Sequence, residues 1–147
     1  MIFKNDIIYY SGLLKKKNRN QEKKFLIEGK KIISEALNSN FDIELLSVSN
    51  LFFEAETEFL KSIKKFKVPI EKIKTLELKK LSDTETQPGI IGVVNFPKFQ
   101  ALNKNAKVIV GLEKINDPGN LGTILRTCDW FGFNDVIISK ESVDVFN

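Results

Sequence analysis

Between residues 117 and 127 the chain gathers the residue types that can hold an anion: Asp117-Pro118-Gly119-Asn120-Leu121-Gly122-Thr123-Ile124-Leu125-Arg126-Thr127. If a helix starts here, its first N–H groups lack intrahelical partners and lie at the positive end of a dipole, so a phosphate is favoured beside them. Gly119 and Gly122 remove side chains where a ligand could come close. Arg126 stands one turn above Gly122 and carries a planar cation that can fork onto a phosphate. Ordinary turn chemistry explains part of the same stretch, because Asp-Pro-Gly-Asn is a common turn and Asp or Asn commonly caps a helix. Glu113 and Lys114 can equally be solvated charges.

The flanking pattern supplies the elements that must place these residues. Val108-Ile109-Val110-Gly111-Leu112 is a short run rich in β-branched residues and predicts a strand buried on both faces. Leu121, Ile124, Leu125, Cys128 and Phe131 recur at helical spacing, Gly132 closes that helix, and Asp135-Val136-Ile137-Ile138-Ser139 predicts a second strand. Two strands joined by such a helix should be parallel, with loop 113–120 at the carboxyl end of the first, where open α/β sheets bind ligands. The glycine spacing is not Gly-x-Gly-x-x-Gly, and no carboxylate follows where a ribose would need one. A nicotinamide dinucleotide site is therefore not expected.

The stretch Glu113-Lys114-Ile115-Asn116-Asp117-Pro118-Gly119-Asn120 through Phe131-Gly132 resembles the first motif of the SpoU/TrmH family of RNA ribose 2′-O-methyltransferases, with Pro118, Asn120, Gly122, Arg126, Phe131 and Gly132 in register. Cys128 and Trp130 depart from the residues usual there and are expected to pack. Upstream, Lys24-Phe25-Leu26-Ile27-Glu28-Gly29-Lys30-Lys31 through Ala36-Leu37 and Leu81-Ser82-Asp83-Thr84-Glu85-Thr86-Gln87-Pro88-Gly89 through Val93-Val94 are similar to the start and the closing segment of the substrate-binding domain that precedes the catalytic domain in many of these enzymes. That resemblance implies methyl transfer from S-adenosylmethionine to a ribose 2′-hydroxyl of structured rRNA or tRNA, by a homodimer. It gives Arg126 and Asn120 the catalytic roles and places Glu113, Pro118, Gly119 and Gly122 in the site loop. A guanidinium is a poor proton acceptor, with a pKa above about 12, so Arg126 is expected to act by position and charge.

The resemblance also implies a fold: an α/β protein with an amino-terminal three-layer α/β/α RNA-binding domain over 1–97, a linker over 98–105, and over 106–147 the start of an α/β-knot methyltransferase domain with a parallel sheet. After Ser139 the sequence runs only to Asn147, whereas the family's second and third motifs form the knotted cofactor pocket and much of the dimer interface. The expectation is a truncated form that binds S-adenosylmethionine weakly and is inactive alone.

The first hundred residues agree with the three-layer reading. Ile7, Ile8, Leu13 and Leu14, then Ile32, Ile33, Ala36 and Leu37, predict two helices around a strand at Phe25-Leu26-Ile27. Further strands are predicted over 43–48, 68–73 and 90–96. Phe53, Leu60 and Ile63 predict one more amphipathic helix, and Leu76, Leu78 and Leu81 a short one.

Lys15, Lys16, Lys17, Arg19, Lys23, Lys24, Lys30 and Lys31 make the first third basic, with residues 15–24 read as a loop. The net charge of +4 and a pI near 9.1 suit an RNA partner. A lysine-rich run is also a usual soluble surface. Two rival readings follow: a stand-alone RNA-binding module that needs the lysines but not Arg126, and a phosphate-ligand domain that needs only the glycine loop. One cysteine and no histidine argue against disulfides, metal sites and histidine acid–base chemistry. With no apolar stretch long enough for a bilayer and no secretory cleavage site, a cytoplasmic location is expected.

Overall fold

Alternating apolar residues and short helical stripes build two units, Met1–Pro97 and Lys98–Asn147. The computed structural model describes residues 4–39, 41–84, 88–98, 102–103 and 105–146. Residues 99–101 and 104 of the expected linker, and residues 85–87 of the closing segment, lie outside the described residues.

The first unit runs α1 (Lys4–Ser11), a 3-10 turn (Gly12–Leu14), α2 (Lys16–Glu22), β1 (Lys24–Glu28), α3 (Lys30–Leu37), β2 (Ile43–Ser49), α4 (Asn50–Ala55), α5 (Thr57–Ile63), β3 (Ile70–Ile73), α6 (Thr75–Leu78) and β4 (Ile90–Asn95). Among the described residues the strands form a four-stranded sheet in the order β1-β4-β2-β3. β4 is antiparallel to both β1 and β2, while β2 and β3 are parallel. The carboxyl ends of β1, β2 and β3 therefore share one end of the sheet with the start of β4.

Strand periodicity sorts the core into two layers. On one face Ile7 of α1, Leu78 and Leu81 meet Ile73 and Ile91, and Leu13 meets Leu45 and Val93. The opposite face carries Ile33, Leu37, Leu60 and Ile63 of α3 and α5, all buried, above Leu46, Val48, Ile90 and Val94. Each such side chain contributes about 1.5–3 kcal/mol by leaving water. The result is the three-layer α/β/α arrangement expected.

Three local expectations are corrected. Residues 15–24 are not a loop: α2 occupies Lys16–Glu22, and its one buried residue is Arg19, so no apolar stripe exists to announce the helix. The stripe Phe53, Leu60 and Ile63 belongs to two helices that break at Glu56, where ψ turns to 38°. Ile8 and Ile32, part of the apolar patterns that predict the first two helices, are 62% and 51% exposed.

An extra residue, Glu44, interrupts the β2–β4 register between Ile43 and Leu45. Such a bulge re-aims a side chain, and Glu44 accepts from the Tyr10 hydroxyl at 3.1 Å and pairs with Lys24 at 2.6 Å. Burial first, and the bond to Glu44 second, push the Tyr10 phenol up to about 12. Because the folded state favours the neutral phenol, this contribution is complete below the unfolded value of 10.0 and fades as pH rises toward about 12. In an alkaline titration followed by phenolate absorbance, Tyr10 ionises above pH 11 in the folded protein, and Tyr10→Phe removes that late step. A late step that survives Tyr10→Phe would assign it elsewhere.

The second unit contains β5 (Val110–Leu112), α7 (Pro118–Trp130) and β6 (Val136–Ile138). β5 and β6 are parallel, with Val110 opposite Val136 and Leu112 opposite Ile138. The expected burial of the first strand on both faces is not found: Val108 and Ile109 are 48% and 45% exposed, as is Ile137 at 48%. One helix packed on a two-stranded sheet covers a single face. Trp130, expected to pack, is 86% exposed and Phe131 is 67% exposed, whereas Cys128 is buried.

Candidate functional site

In the second unit the site loop is built around the start of α7. Asp117 caps the helix, its Oδ1 accepting the Asn120 N–H at 2.6 Å, and Pro118 fills the first turn where no donor is needed. Such a cap contributes about 1 kcal/mol. At the other end Gly132 adopts φ 72°; its N–H donates to the Asp129 carbonyl and the Phe133 N–H to the Cys128 carbonyl. This paired closure needs a left-handed residue, which glycine supplies without strain.

Arg126 is exposed and folds back toward the helix start. Its Nη2 donates to Thr123 Oγ1 at 3.2 Å, and that hydroxyl donates to the Gly119 carbonyl at 2.9 Å. A Cβ at position 122 would stand 3.4 Å from Arg126 Nη1, an ordinary contact distance, so the guanidinium lies close beside Gly122. Thr123 escaped the sequence reading, although its place three residues before Arg126 was the available signal. Asn120 and Glu113 are exposed, as are Pro118 and Gly119.

The segment before the helix is fixed by two hydroxyls that the sequence reading also missed. Lys114 has a left-handed φ of 53°; its N–H donates to Ser139 Oγ, and the Ile115 N–H donates to Ser142 Oγ, both at 3.1 Å. Ser142 is buried, and the two hydroxyls lie 3.1 Å apart. Strand β6 and the turn after it thus hold loop 113–116 against β5. Nothing in the hydrophobic pattern marks two serines for this task.

These residues offer one wall toward a cofactor such as S-adenosylmethionine. The helix start presents the Gly119 N–H, since Pro118 has none and Asp117 takes that of Asn120; the flanking side chains are exposed or half-exposed, and Gly111 faces open space. An adenine ring needs apolar contact on both faces, and residues 110–122 with 136–143 do not enclose one. Among the described residues there is also no group of three metal-ligating side chains, and no helix is long and apolar enough to cross a membrane.

In the first unit the basic residues do not form one patch. Arg19 is a correction to the RNA-binding set: it is 5% exposed, and its Nη1 donates to the Leu13 and Leu14 carbonyls at 3.1 and 2.8 Å. It closes the turn before α2 from inside the fold. Lys24 is committed to Glu44; partial burial opposes its charge, but the Glu44 carboxylate prevails and its pKa rises. Lys30 pairs with Glu56 at 2.6 Å, and Lys23 lies 5.7 Å from the Phe96 ring centre. Lys15, Lys16, Lys17 and Lys31 are exposed. Lys23 and Lys24 sit where β1 begins and Lys30 and Lys31 just after it ends, which puts them roughly 15 Å apart at strand rise.

Two family models match this chain: MRM3-like substrate binding domain over residues 4–92, and SpoU rRNA Methylase family over residues 107–147. The chain is 33% identical over 139 residues to human mitochondrial rRNA methyltransferase 3, matching 87% of this chain and 31% of that protein. It is 30% identical over 132 residues to the Bacillus subtilis 23S rRNA (guanosine(2553)-2′-O)-methyltransferase RlmP, matching 90% of this chain and 50% of that protein. It therefore spans a third to a half of these relatives' lengths. Among solved structures, a TrmH-family RNA methyltransferase from Porphyromonas gingivalis superposes with a TM-score of 0.76 at 27% identity, over 99% of this chain and 55% of that one. The AdoMet complex of the Streptomyces viridochromogenes SpoU methyltransferase AviRb shares the fold, with a TM-score of 0.78 at 22% identity over 96% and 55%. With a capped helix presenting Arg126 in one unit and a substrate-binding module in the other, the chain belongs to the SpoU methyltransferase family.

Proposed function

We propose that this chain is the RNA-recognition half and the arginine-bearing loop of an S-adenosylmethionine-dependent rRNA ribose 2′-O-methyltransferase. The observation that carries this reading is Arg126 drawn toward the start of α7 by Thr123, whose hydroxyl is itself bonded to the Gly119 carbonyl. There the guanidinium stands with the Gly119 N–H, the first-turn amide that neither Pro118 nor the Asp117 cap takes up, and the pair suits the phosphate beside a ribose hydroxyl. Asn120, next to them, orients the hydroxyl, while the Pro118-Gly119 turn and Glu113 shape the approach. S-adenosylmethionine supplies the methyl group, in a pocket that these residues wall on one side only. The reading includes the homodimer of the family, either rRNA or tRNA as the structured substrate, and a cytoplasmic setting.

In this reading the phosphates meet Lys15, Lys16, Lys17 and Lys31, which are exposed and make no ion pair among the described residues. If each neutralises one phosphate, the logarithm of affinity falls with the logarithm of salt with a slope of roughly −3. Affinity for a structured rRNA fragment then drops about 50-fold between 50 and 200 mM salt. Calorimetric titration of the same chain with S-adenosylmethionine gives no measurable heat of binding. RNA affinity indifferent to salt would remove the lysines from the interface. Micromolar cofactor binding would show that the pocket is more complete than the present walls suggest. RNA binding that survives both a Lys16→Gln, Lys17→Gln pair and Arg126→Gln would defeat the proposal altogether.

A further inference from the structure

In the first unit an apolar cavity of about 300 Å³ opens between α3 and the sheet. Its floor is Phe25, Ile27 and Val94, and its sides are Ile32 and Phe41. These two are 51% and 40% exposed, unusual for apolar side chains facing each other across a slot. Phe25 presents its ring to Phe41 at 6.1 Å and to Phe96 at 6.0 Å, both nearly edge-on. The exposed Lys23 lies against the Phe96 ring, and Glu35 stands at the rim four residues after the exposed Lys31. Ser39 is already committed, donating to the Ala36 carbonyl.

We propose that this slot receives one unpaired nucleobase of the bound RNA, stacked against Phe41 between apolar walls. A base has two apolar faces and a polar edge, and the slot offers that combination: aromatic and aliphatic sides, with a single carboxylate at the lip to accept from a ring N–H or an exocyclic amine. The neighbouring cations Lys23 and Lys31 match the phosphates on either side of a splayed-out nucleotide. An apolar protein segment would use the walls but leave those charges without a counterpart. The inference rests on the RNA-binding reading above, and it adds a recognition point that contributes stacking rather than salt-dependent affinity.

The test uses the whole chain, a fluorescein-labelled random-sequence single-stranded RNA twelve-mer, and Phe41→Ala beside Phe41→Trp. Phe41→Ala weakens binding by about five- to a hundred-fold, as expected for one stacked base, without changing the salt slope; Phe41→Trp binds at least as tightly as the parent. Ile32→Ala, on the facing wall, moves affinity in the same direction as Phe41→Ala and serves if that variant fails to fold. Parent binding with Phe41→Ala and Ile32→Ala within twofold of it overturns the slot and leaves the RNA reading standing. No binding by the parent at low salt overturns both. An apolar peptide that occupies the slot without displacing RNA also overturns it, in favour of a protein partner.

Discussion

In a full-length enzyme that carries this loop, Arg126→Lys lowers turnover by about 10²- to 10³-fold, the cost of removing one preorganised donor from a developing anion. Lysine keeps the charge but loses the planar fork, so it cannot hold Thr123 Oγ1 with one nitrogen while presenting others to a phosphate. Because Arg126 is exposed, the substitution leaves stability within about 0.5 kcal/mol, and an unchanged melting temperature separates the effect from misfolding. Thr123→Val, which keeps the shape and removes the hydroxyl, costs about fivefold, in line with one hydrogen bond of about 1 kcal/mol. The measurement is single-turnover methylation of an rRNA fragment with labelled S-adenosylmethionine. Near-normal turnover of Arg126→Lys would remove the fork from the mechanism and leave at most a diffuse electrostatic role.

The fold was legible wherever apolar residues keep a period. The strands at Phe25-Leu26-Ile27 and Ile90–Asn95 and the helix carrying Ile33 and Leu37 follow directly from alternation and from helical spacing. So do the parallel β5 and β6 and the closing role of Gly132. The pattern failed where a polar residue takes a buried position. Arg19 holds the inner face of α2, so the helix is invisible to hydrophobicity, and Ser139 and Ser142 hold loop 113–116 by hydroxyls whose partners are main-chain N–H groups far off in sequence. The loop itself was visible because its motif combines a cap, a first-turn proline and two glycines, each with a local physical reason. Exposure was misjudged at Val108, Ile109 and Trp130, since an apolar residue reports a preference for burial and not the presence of a second layer to provide it.

The same division between charge that binds and charge that builds separates the basic residues, and Arg19→Ala exposes it. Removing this guanidinium strips the donor from the Leu13 and Leu14 carbonyls at the end of a 3-10 turn and opens a void beside Leu13, which is 1% exposed. A hydrogen bond from a charged group is worth about 1.5–3 kcal/mol, and stranded buried acceptors add to the loss. The expected destabilisation is about 2–4 kcal/mol, which for a unit of this size lowers its melting temperature by roughly 10–20 °C. At a temperature where the variant is still folded, its affinity for RNA stays within about twofold of the parent, since Lys15, Lys16 and Lys17 remain exposed as long as α2 is formed. Lys16→Gln with Lys17→Gln shows the reverse: melting shifts by no more than about 0.5 kcal/mol, while RNA affinity and its salt slope both fall. Calorimetric melting beside RNA titration of the two variants reads both quantities. An Arg19→Ala protein that melts like the parent but binds RNA poorly would return Arg19 to the interface, and would mean that the guanidinium leaves its two carbonyls for a phosphate when RNA arrives.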